Sequence, residues 1–261
     1  MTTARIPRLI PLACLAVLLL AGCSKRPAEP AAPPSPPPSA AVPIAPPTTQ
    51  NGLVSLGDAA AYAALARGES VVVRAKPGES KATDLIPPKL AWGTPTPFLV
   101  REARRFDGKL WYRVMLPKRP NESSGWVLAD QVSTAPRDYR ATVDLSERRL
   151  KLYKGDQLIR NFPVGIGRPA TPTPTGHFFV TVRLRPPQIS TVYGAWALGL
   201  SGYSRVLAQF GTGDGQIALH GTNNIANLGH QVSNGCVRLD NQAISLLANV
   251  LLPGSPVDIQ D

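Results

Sequence analysis

The chain has 261 residues, of which 28 are Pro and 22 are Gly, with 17% charged and 6% aromatic residues. This length allows one large or two small domains, and a Pro content above one in ten indicates that part of the chain is not packed. Three Cys without a CxxC pair exclude a disulfide scaffold and a zinc ribbon. A net charge of +11 favours an anionic environment, but it does not distinguish between nucleic acid, lipid and cell-wall polymer.

The first segment, residues 1–22, has the pattern of an export signal. Arg5 and Arg8 precede an apolar run from Leu9 to Ala21, and the segment contains no acidic residue. A run of about 13 residues is shorter than the ~20 that a membrane-spanning helix needs, so it predicts the apolar region of a secretory signal peptide.

The end of this run resembles a bacterial lipobox, with Leu20 and Ala21 shortly before Cys23. The resemblance implies that Cys23 is lipidated and anchors the mature protein to a membrane; an ordinary signal peptide with an incidental Cys is the alternative. Ser24 follows the Cys, which implies an outer-membrane lipoprotein facing the periplasm if the host is Gram-negative.

Residues 23–50 are rich in Pro, Ala and Ser and contain almost no large apolar side chain. Such a segment stays solvated and favours polyproline II, so it predicts a semi-rigid tether. A binding motif for a polyproline-recognising domain is the alternative.

Residues 51–135 have the pattern of a small β domain. An Ala-rich stretch from Ala59 to Arg67, with Asp58 as its cap, predicts a short helix. Strand-like runs separated by Pro/Gly turns follow at Ser70–Arg74, Thr96–Arg101, Lys109–Val114 and Gly125–Leu128.

Three tryptophans accompany these runs, namely Trp92, Trp111 and Trp126. The runs that carry Trp111 and Trp126 resemble bacterial SH3-like modules, which implies a positioning or wall-binding role. The tryptophans could stack on sugar rings, although Trp in a small barrel more often belongs to the core.

Residues 136–261 open with period-2 runs that predict a β-meander, followed by a further alternating run from Phe178 to Leu184. Near the end, Asp240 or Asn241 can cap a helix with one apolar face, and Val257–Ile259 predicts a closing strand. The expected fold is mainly β. A small β-barrel is followed along the chain by a β-sandwich with one or two helices.

Two short runs in this region combine a His with a Cys. In the first, Ile217 and Leu219 alternate with His220, and in the second, Val237 alternates with Cys236 and Arg238. Two strands that bury their aliphatic residues would therefore present an imidazole, a thiol and a guanidinium on the opposite face. This pattern predicts a Cys–His nucleophile pair with an anion-binding neighbour.

The three cysteines support the same hypothesis. Cys14 leaves with the signal peptide and Cys23 is the lipid anchor, which leaves Cys236 as a lone thiol that cannot form an intrachain disulfide. A lone Cys can be a small buried hydrophobe. A free thiol in an oxidising compartment nevertheless favours a chemical role.

From about Arg137 to the C-terminus the chain resembles the L,D-transpeptidase catalytic domain of bacterial peptidoglycan synthesis. The family motif is a His followed after about fifteen residues by Ser-His-Gly-Cys, here His220 and then Ser233-Asn234-Gly235-Cys236. The run Pro172–Phe178 and the pair Tyr193-Gly194 also match. Asn234 departs from the pattern because the family commonly has a second His there.

The resemblance implies a role for each matching residue. Cys236 would be the nucleophile and His220 the general base, with the Gly221 backbone carbonyl orienting His220 and the backbone N–H groups around Gly235 and Cys236 forming the oxyanion hole. The remaining matches would bind substrate, namely Arg238, Ser233, Asn234, Thr222 and Tyr193.

The implied substrates are peptidoglycan stem peptides, from which the enzyme releases D-Ala and transfers the acyl group to an amine of a second stem or of a wall-linked lipoprotein. No cofactor, metal or nucleic acid is implied. The alternatives are an L,D-carboxypeptidase or other hydrolase that uses the same Cys, and a non-catalytic peptidoglycan-binding lipoprotein.

Overall fold

The computed structural model describes residues 49–50, 53–57, 59–91, 93–186, 192–209 and 213–261. The predicted signal peptide, the lipobox Cys23, nearly all of the Pro-rich tether, Asp58 and Trp92 lie outside the described residues.

Strands up to residue 137 form a seven-stranded sheet and a separate hairpin. They are β1 (Thr49–Gln50), β2 (Leu53–Val54), β3 (Ala61–Ala66), β4 (Val71–Val73), β5 (Asp84–Ile86), β6 (Pro97–Phe106), β7 (Lys109–Met115), β8 (Ser124–Leu128) and β9 (Val132–Arg137). The sheet order is β1-β2-β6-β3-β9, with β7 pairing both β6 and β8, while β4 and β5 pair with each other.

The Ala-rich stretch is strand β3, so the predicted helix from Ala59 to Arg67 was wrong. β3 pairs antiparallel with β6 on one side and β9 on the other, and Ala63 and Ala64 are fully buried. Gly254 packs so closely that a Cβ there would lie 2.2 Å from the Ala63 side chain. Pairing on both edges and close packing outweigh the helix preference of Ala, which is small per residue.

The predicted strands of this region are otherwise present, although β6 is longer than its sequence pattern indicated. Trp111 and Trp126 are 4% and 9% exposed, which agrees with a core role. The guanidinium carbons of Arg74 and Arg104 lie 5.5 and 5.8 Å from the centroids of Trp111 and Trp126, respectively. The SH3-like character of the region stays a prediction.

Strands from residue 139 onward form an eight-stranded sheet and a two-stranded one. They are β10 (Tyr139–Asp144), β11 (Arg149–Lys154), β12 (Gln157–Pro163), β13 (Ile166–Gly167), β14 (Gly176–Leu184), β15 (Ala197–Tyr203), β16 (Gln216–Gly221), β17 (Gln231–Ser233), β18 (Val237–Leu239) and β19 (Pro256–Gln260). The larger sheet has the order β12-β11-β10-β19-β14-β15-β16-β18, and β13 pairs with β17.

One α-helix, α1 (Asn241–Val250), occurs in the described part of the chain, together with 3-10 turns at Ala129–Gln131 and Ile225–Asn227. The mainly β fold class is thereby confirmed. Asp240 caps α1, because its Oδ1 accepts hydrogen bonds from the Gln242 and Ala243 N–H groups at 2.9 and 2.8 Å. α1 therefore begins immediately after β18.

The first sheet packs on the second through apolar and polar contacts. Leu99 and Met115 from the first sheet form one buried cluster with Phe179 from the second. The Arg119 guanidinium donates to the carbonyls of Ser204, Leu207 and Asp214 in the β15–β16 loop. Both sheets consequently belong to one compact unit.

Within the described ranges, no helix is both long and apolar enough to cross a membrane.

Candidate active site

The strands β16 and β18 bring the predicted site residues together. They are parallel neighbours in which His220 lies opposite Arg238 and Leu219 opposite Val237. Leu219 and Val237 are fully buried in the core. Because successive side chains of a strand point to opposite faces, His220 and Arg238 share the other face.

Cys236 lies directly before β18 and shares this face with Arg238. Continuing the register by one step from the pair Leu219–Val237 puts Cys236 opposite Ala218, whose backbone forms a hydrogen bond with the thiol. His220 and Cys236 are therefore diagonal neighbours, a relation that spans about 7–8 Å in a regular sheet and is bridged by long or aromatic side chains. Cys236 is a free, partly buried cysteine.

His220 is held in one orientation by its own strand end. It is 3% exposed, and its Nδ1 lies 2.8 Å from the Gly221 carbonyl oxygen. A carbonyl oxygen only accepts hydrogen bonds, so Nδ1 carries the proton and Nε2 has the free lone pair. The Tyr193 ring meets the imidazole edge-on, with 5.4 Å between the ring centroids.

Burial keeps both reactive groups neutral. It lowers the pKa of His220 to about 4, with Arg238 adding to the effect and the Gly221 hydrogen bond opposing it. Burial also raises the pKa of the Cys236 thiol, while a hydrogen bond from the Ala218 backbone and the charge of Arg238 act in the opposite direction. At neutral pH the pair is thus an imidazole beside a thiol, and Arg238 favours the thiolate that a proton transfer would create.

The low pKa of His220 predicts a pH-dependent stability. Between pH 6.5 and about 4 the unfolded chain binds a proton at His220 that the folded protein does not. The free energy of unfolding therefore falls as pH falls through this window, by about 3 kcal/mol from this one group between pH 7 and pH 4.

Urea unfolding of the wild type and of His220→Gln at several pH values measures this contribution. The exposed His230 supplies the matched control His230→Gln. The wild type and the control should lose stability in parallel, whereas His220→Gln should lose about 3 kcal/mol less over the same range. Identical pH slopes for all three proteins would contradict the prediction.

Ser233 and Gly235 form the turn that presents Cys236. The Ser233 Oγ donates to the Cys236 carbonyl at 2.6 Å and accepts from the Gly235 N–H at 3.1 Å. Gly235 has a φ of +114°, which favours glycine. Ser233 is 1% exposed and shapes the turn before Cys236, while its predicted contact with substrate stays a prediction. The Gly235 N–H donates inside the turn, and the predicted contribution of the Gly235 backbone to the oxyanion hole stays a prediction.

Asn234, which departs from the family motif, is held by the loop before β14. Its Oδ1 accepts from the Arg168 guanidinium and from the Thr171 Oγ at 3.4 Å. The Thr171 Oγ also lies 3.2 Å from the Ser233 carbonyl. The sequence pattern did not identify Arg168 and Thr171, although Thr171 directly precedes the matching run Pro172–Phe178.

The other predicted substrate contacts have different environments. Thr222 is 4% exposed, and its Oγ accepts from the Asn224 N–H at 3.1 Å in the loop after β16, while its predicted contact with substrate stays a prediction. Tyr193 is 42% exposed beside His220. The Arg238 backbone exchanges two hydrogen bonds with Gly165 at 2.8 and 2.9 Å, while its Nε is buried without a partner among the described residues.

The described ranges contain no group of three or more His, Cys, Asp and Glu residues that could hold a metal ion. Among the other histidines, His177 pairs with Asp258 at 2.7 Å, and His230 is exposed in the loop before β17.

Known proteins share this second half of the chain. The profile of the L,D-transpeptidase catalytic domain, YkuD, matches residues 138–259. A Bacillus licheniformis protein named as the L,D-transpeptidase YkuD is 31% identical over 160 residues, which cover 59% of this chain and 88% of that protein. The chain belongs to the L,D-transpeptidase family.

Two further similar proteins match this L,D-transpeptidase over a smaller share of their own length. The namesake from Bacillus subtilis is 31% identical over 121 residues, which is 46% of this chain and 65% of that one. The solved structure of Bdellovibrio bacteriovorus Bd1075 is 27% identical and covers 48% of each chain with a TM-score of 0.40.

The family resemblance that the motif predicted is thus confirmed, and with it the enzyme class. L,D-transpeptidases act on the stem peptides of peptidoglycan. The matched range contains His220, Cys236 and Arg238, which the fold gathers on one face of the sheet.

Proposed function

We propose that this L,D-transpeptidase uses Cys236 to cleave a stem tetrapeptide before its terminal D-Ala and to transfer the acyl group to an amine. The observation that carries the proposal is the placement of His220 and Cys236 on one face of adjacent parallel strands, with the His220 Nδ1 bound to the Gly221 carbonyl.

The acylation step begins from the neutral pair. The His220 Nε2 takes the thiol proton while the Cys236 sulfur bonds to the carbonyl carbon at the L-centre of the stem diamino acid. The tetrahedral intermediate then collapses, the C–N bond to D-Ala breaks, and the imidazolium returns the proton to the leaving amine. A thioester at Cys236 and neutral His220 remain.

The transfer step consumes the thioester. An acceptor amine attacks the thioester carbonyl and gives a proton to His220, after which the C–S bond breaks and the thiol is restored. A second stem would yield a 3-3 cross-link and a wall-linked lipoprotein would yield protein attachment, whereas water would make the enzyme an L,D-carboxypeptidase.

The oxyanion of both steps needs a donor close to the sulfur. The Gly235 N–H points to the Ser233 Oγ, so we assign this role to the Cys236 N–H. Loss of one such donor typically costs roughly 3 kcal/mol of transition-state stabilisation. Arg238 is suited to hold a substrate carboxylate, because it shares the reactive face and has a buried Nε that lacks an acceptor among the described residues.

The proposal extends to location. Lipidation of Cys23 would anchor the enzyme to a membrane, the outer membrane if the host is Gram-negative, and the tether of residues 23–50 would let it reach the wall from the periplasmic side. The β region at 51–135 would position the enzyme or bind the wall.

A product assay tests the proposed function. The full-length protein in detergent is incubated with disaccharide tetrapeptides, and intact mass and muropeptide products are recorded. We expect an acyl adduct at Cys236, release of D-Ala and a dimer joined through two diamino acids.

Each alternative has its own signature in the same assay. Tripeptides without dimers would indicate a carboxypeptidase, and an acyl group transferred only to an added lipoprotein would indicate protein attachment. Binding of muropeptides with no adduct and no loss of D-Ala would refute catalysis and support a binding lipoprotein.

A further inference from the structure

We propose that Asn241, the first residue of α1, is a positioning residue that holds the Gly221 carbonyl in place and thereby selects the base form of His220. This inference rests on the proposed function, since it concerns the same His220. Asn241 does not touch the reacting groups, and its effect passes through Gly221.

Gly221 is the residue on which the orientation of His220 depends. Its carbonyl accepts from the His220 Nδ1 at 2.8 Å, and its N–H lies 3.0 Å from both the Tyr193 and the Trp196 carbonyl oxygens. The peptide group before Gly221 is therefore held by the turn of residues 193–196, while the following one, which carries the Gly221 carbonyl, donates its Thr222 N–H to the Leu239 carbonyl at 2.9 Å. A shift of this turn would change the direction of the carbonyl that accepts from the imidazole.

The turn crosses Gly221 at a distance that admits no side chain. A Cβ on Gly194 would lie 2.6 Å from the Gly221 Cα, and a Cβ on either glycine would lie 2.3 Å from the Asn241 Oδ1. Gly194 also has a φ of +61°, a left-handed conformation that favours glycine. Gly194, Gly221 and the Asn241 Oδ1 are therefore in close mutual contact.

Asn241 connects this turn with the chain beyond Gly221. Its Oδ1 accepts from the Ala195 N–H at 2.8 Å, and its Nδ2 donates to the Asn223 Oδ1, also at 2.8 Å. One side chain therefore bridges the turn that carries Tyr193 and the loop that leaves Gly221. Loss of both bonds frees two segments that determine where the Gly221 carbonyl points.

The position of Asn241 in the chain links the base to the nucleophile. Asn241 follows Cys236 by five residues, through β18 and the cap Asp240. The Cys236 thiol and the Asn241 amide, which binds the turn next to Gly221, therefore belong to the same short segment of the chain.

The test compares acylation rate with the tautomer of His220. We expect Asn241→Ala to slow acylation of Cys236 by about 10- to 100-fold, the effect of a displacement near 1 Å at a catalytic group. Nitrogen NMR of ¹⁵N-histidine-labelled protein should show the Nδ1–H form of His220 in the wild type and a mixture with the Nε2–H form in Asn241→Ala. The NMR signals of His220 are identified by their absence from the spectrum of His220→Gln.

Two further variants separate positioning from folding. Asn241→Asp keeps the acceptor for the Ala195 N–H and should recover acylation to within a few-fold of the wild type. Gln242→Ala changes the neighbouring exposed side chain and should alter neither rate nor tautomer. Asn241→Ser, whose side chain is too short to reach both partners, replaces Asn241→Ala if the latter does not fold.

The inference is overturned if Asn241→Ala or Asn241→Ser acylates at the wild-type rate, or if the rate falls while His220 keeps the Nδ1–H form. Failure of the proposed function is a separate result: the wild type itself would form no adduct. The tautomer comparison between wild type and variants does not require turnover.

Discussion

Replacing Cys236 with Ala is expected to abolish the acyl adduct and to reduce release of D-Ala by at least ~10³-fold, since the variant has no nucleophile for the attacked carbonyl. The side chain is partly buried at the edge of β18 and is not part of the apolar core cluster. The variant should therefore fold, and its Tm should stay within a few degrees of the wild type.

The location of the adduct needs a peptide map, because the full sequence also contains Cys14 and Cys23. Gln242→Ala on α1 is a suitable control, since this side chain is exposed and lies outside the proposed machinery. An acyl group found on a peptide without Cys236, or a Cys236→Ala protein that still releases D-Ala at the wild-type rate, would contradict the proposed nucleophile.

Replacing His220 with Gln is expected to slow acylation by about 10²- to 10⁴-fold, the usual contribution of a positioned general base. The thiol pKa is raised by burial, so little thiolate forms without the imidazole. His230→Gln, in the exposed loop before β17, should retain the wild-type rate.

The pH profile gives the His220 prediction a second measurement. As pH falls through about 4, His220 becomes protonated and cannot accept the thiol proton, so kcat/KM should fall tenfold per pH unit below that value. His220→Gln should lack this acidic limb. A wild-type limb near pH 6.5 would mean that His220 is not desolvated in solution, and a variant with the full wild-type limb would exclude His220 as its source.

Regular alternation in the sequence predicted most strands of the second half. The runs of β10 and β11 alternate apolar and polar residues on a period of two, which depends only on neighbours along the chain, whereas in β14 the residues from Phe178 to Val182 are all buried. The cap at Asp240 and the apolar face of α1 are local in the same way. These patterns could be recognised without knowledge of any tertiary contact.

The stretch of β3 shows where local preference fails. Its alanines favour a helix in isolation, and the strand exists because β6 and β9 pair with both of its edges. The two partners lie more than 30 residues away along the chain, so no window around Ala63 contains the information.

The candidate site likewise combines features that follow from local sequence with features that depend on tertiary contacts. Alternation around His220 and Cys236 was sufficient to place each side chain on the face opposite the buried aliphatic residues of its own run. Because β16 and β18 pair in parallel, these two faces lie on the same side of the sheet. The internal hydrogen bonds of the Ser233 hydroxyl and of the Gly235 N–H depend on how the turn closes, so residue types alone could not predict them.

The sequence by itself determined the enzyme family and most of the strand pattern and predicted the reactive pair, because these depend on residue identity and on short periodic spacing. Only the tertiary structure decided which groups support the pair: Arg168 on Asn234, Gly165 on Arg238, and Asn241 on the turn over Gly221. These contacts join residues that are distant in sequence. A hydrogen bond between them depends on distances of a few tenths of an ångström that only the folded sheet and its loops define.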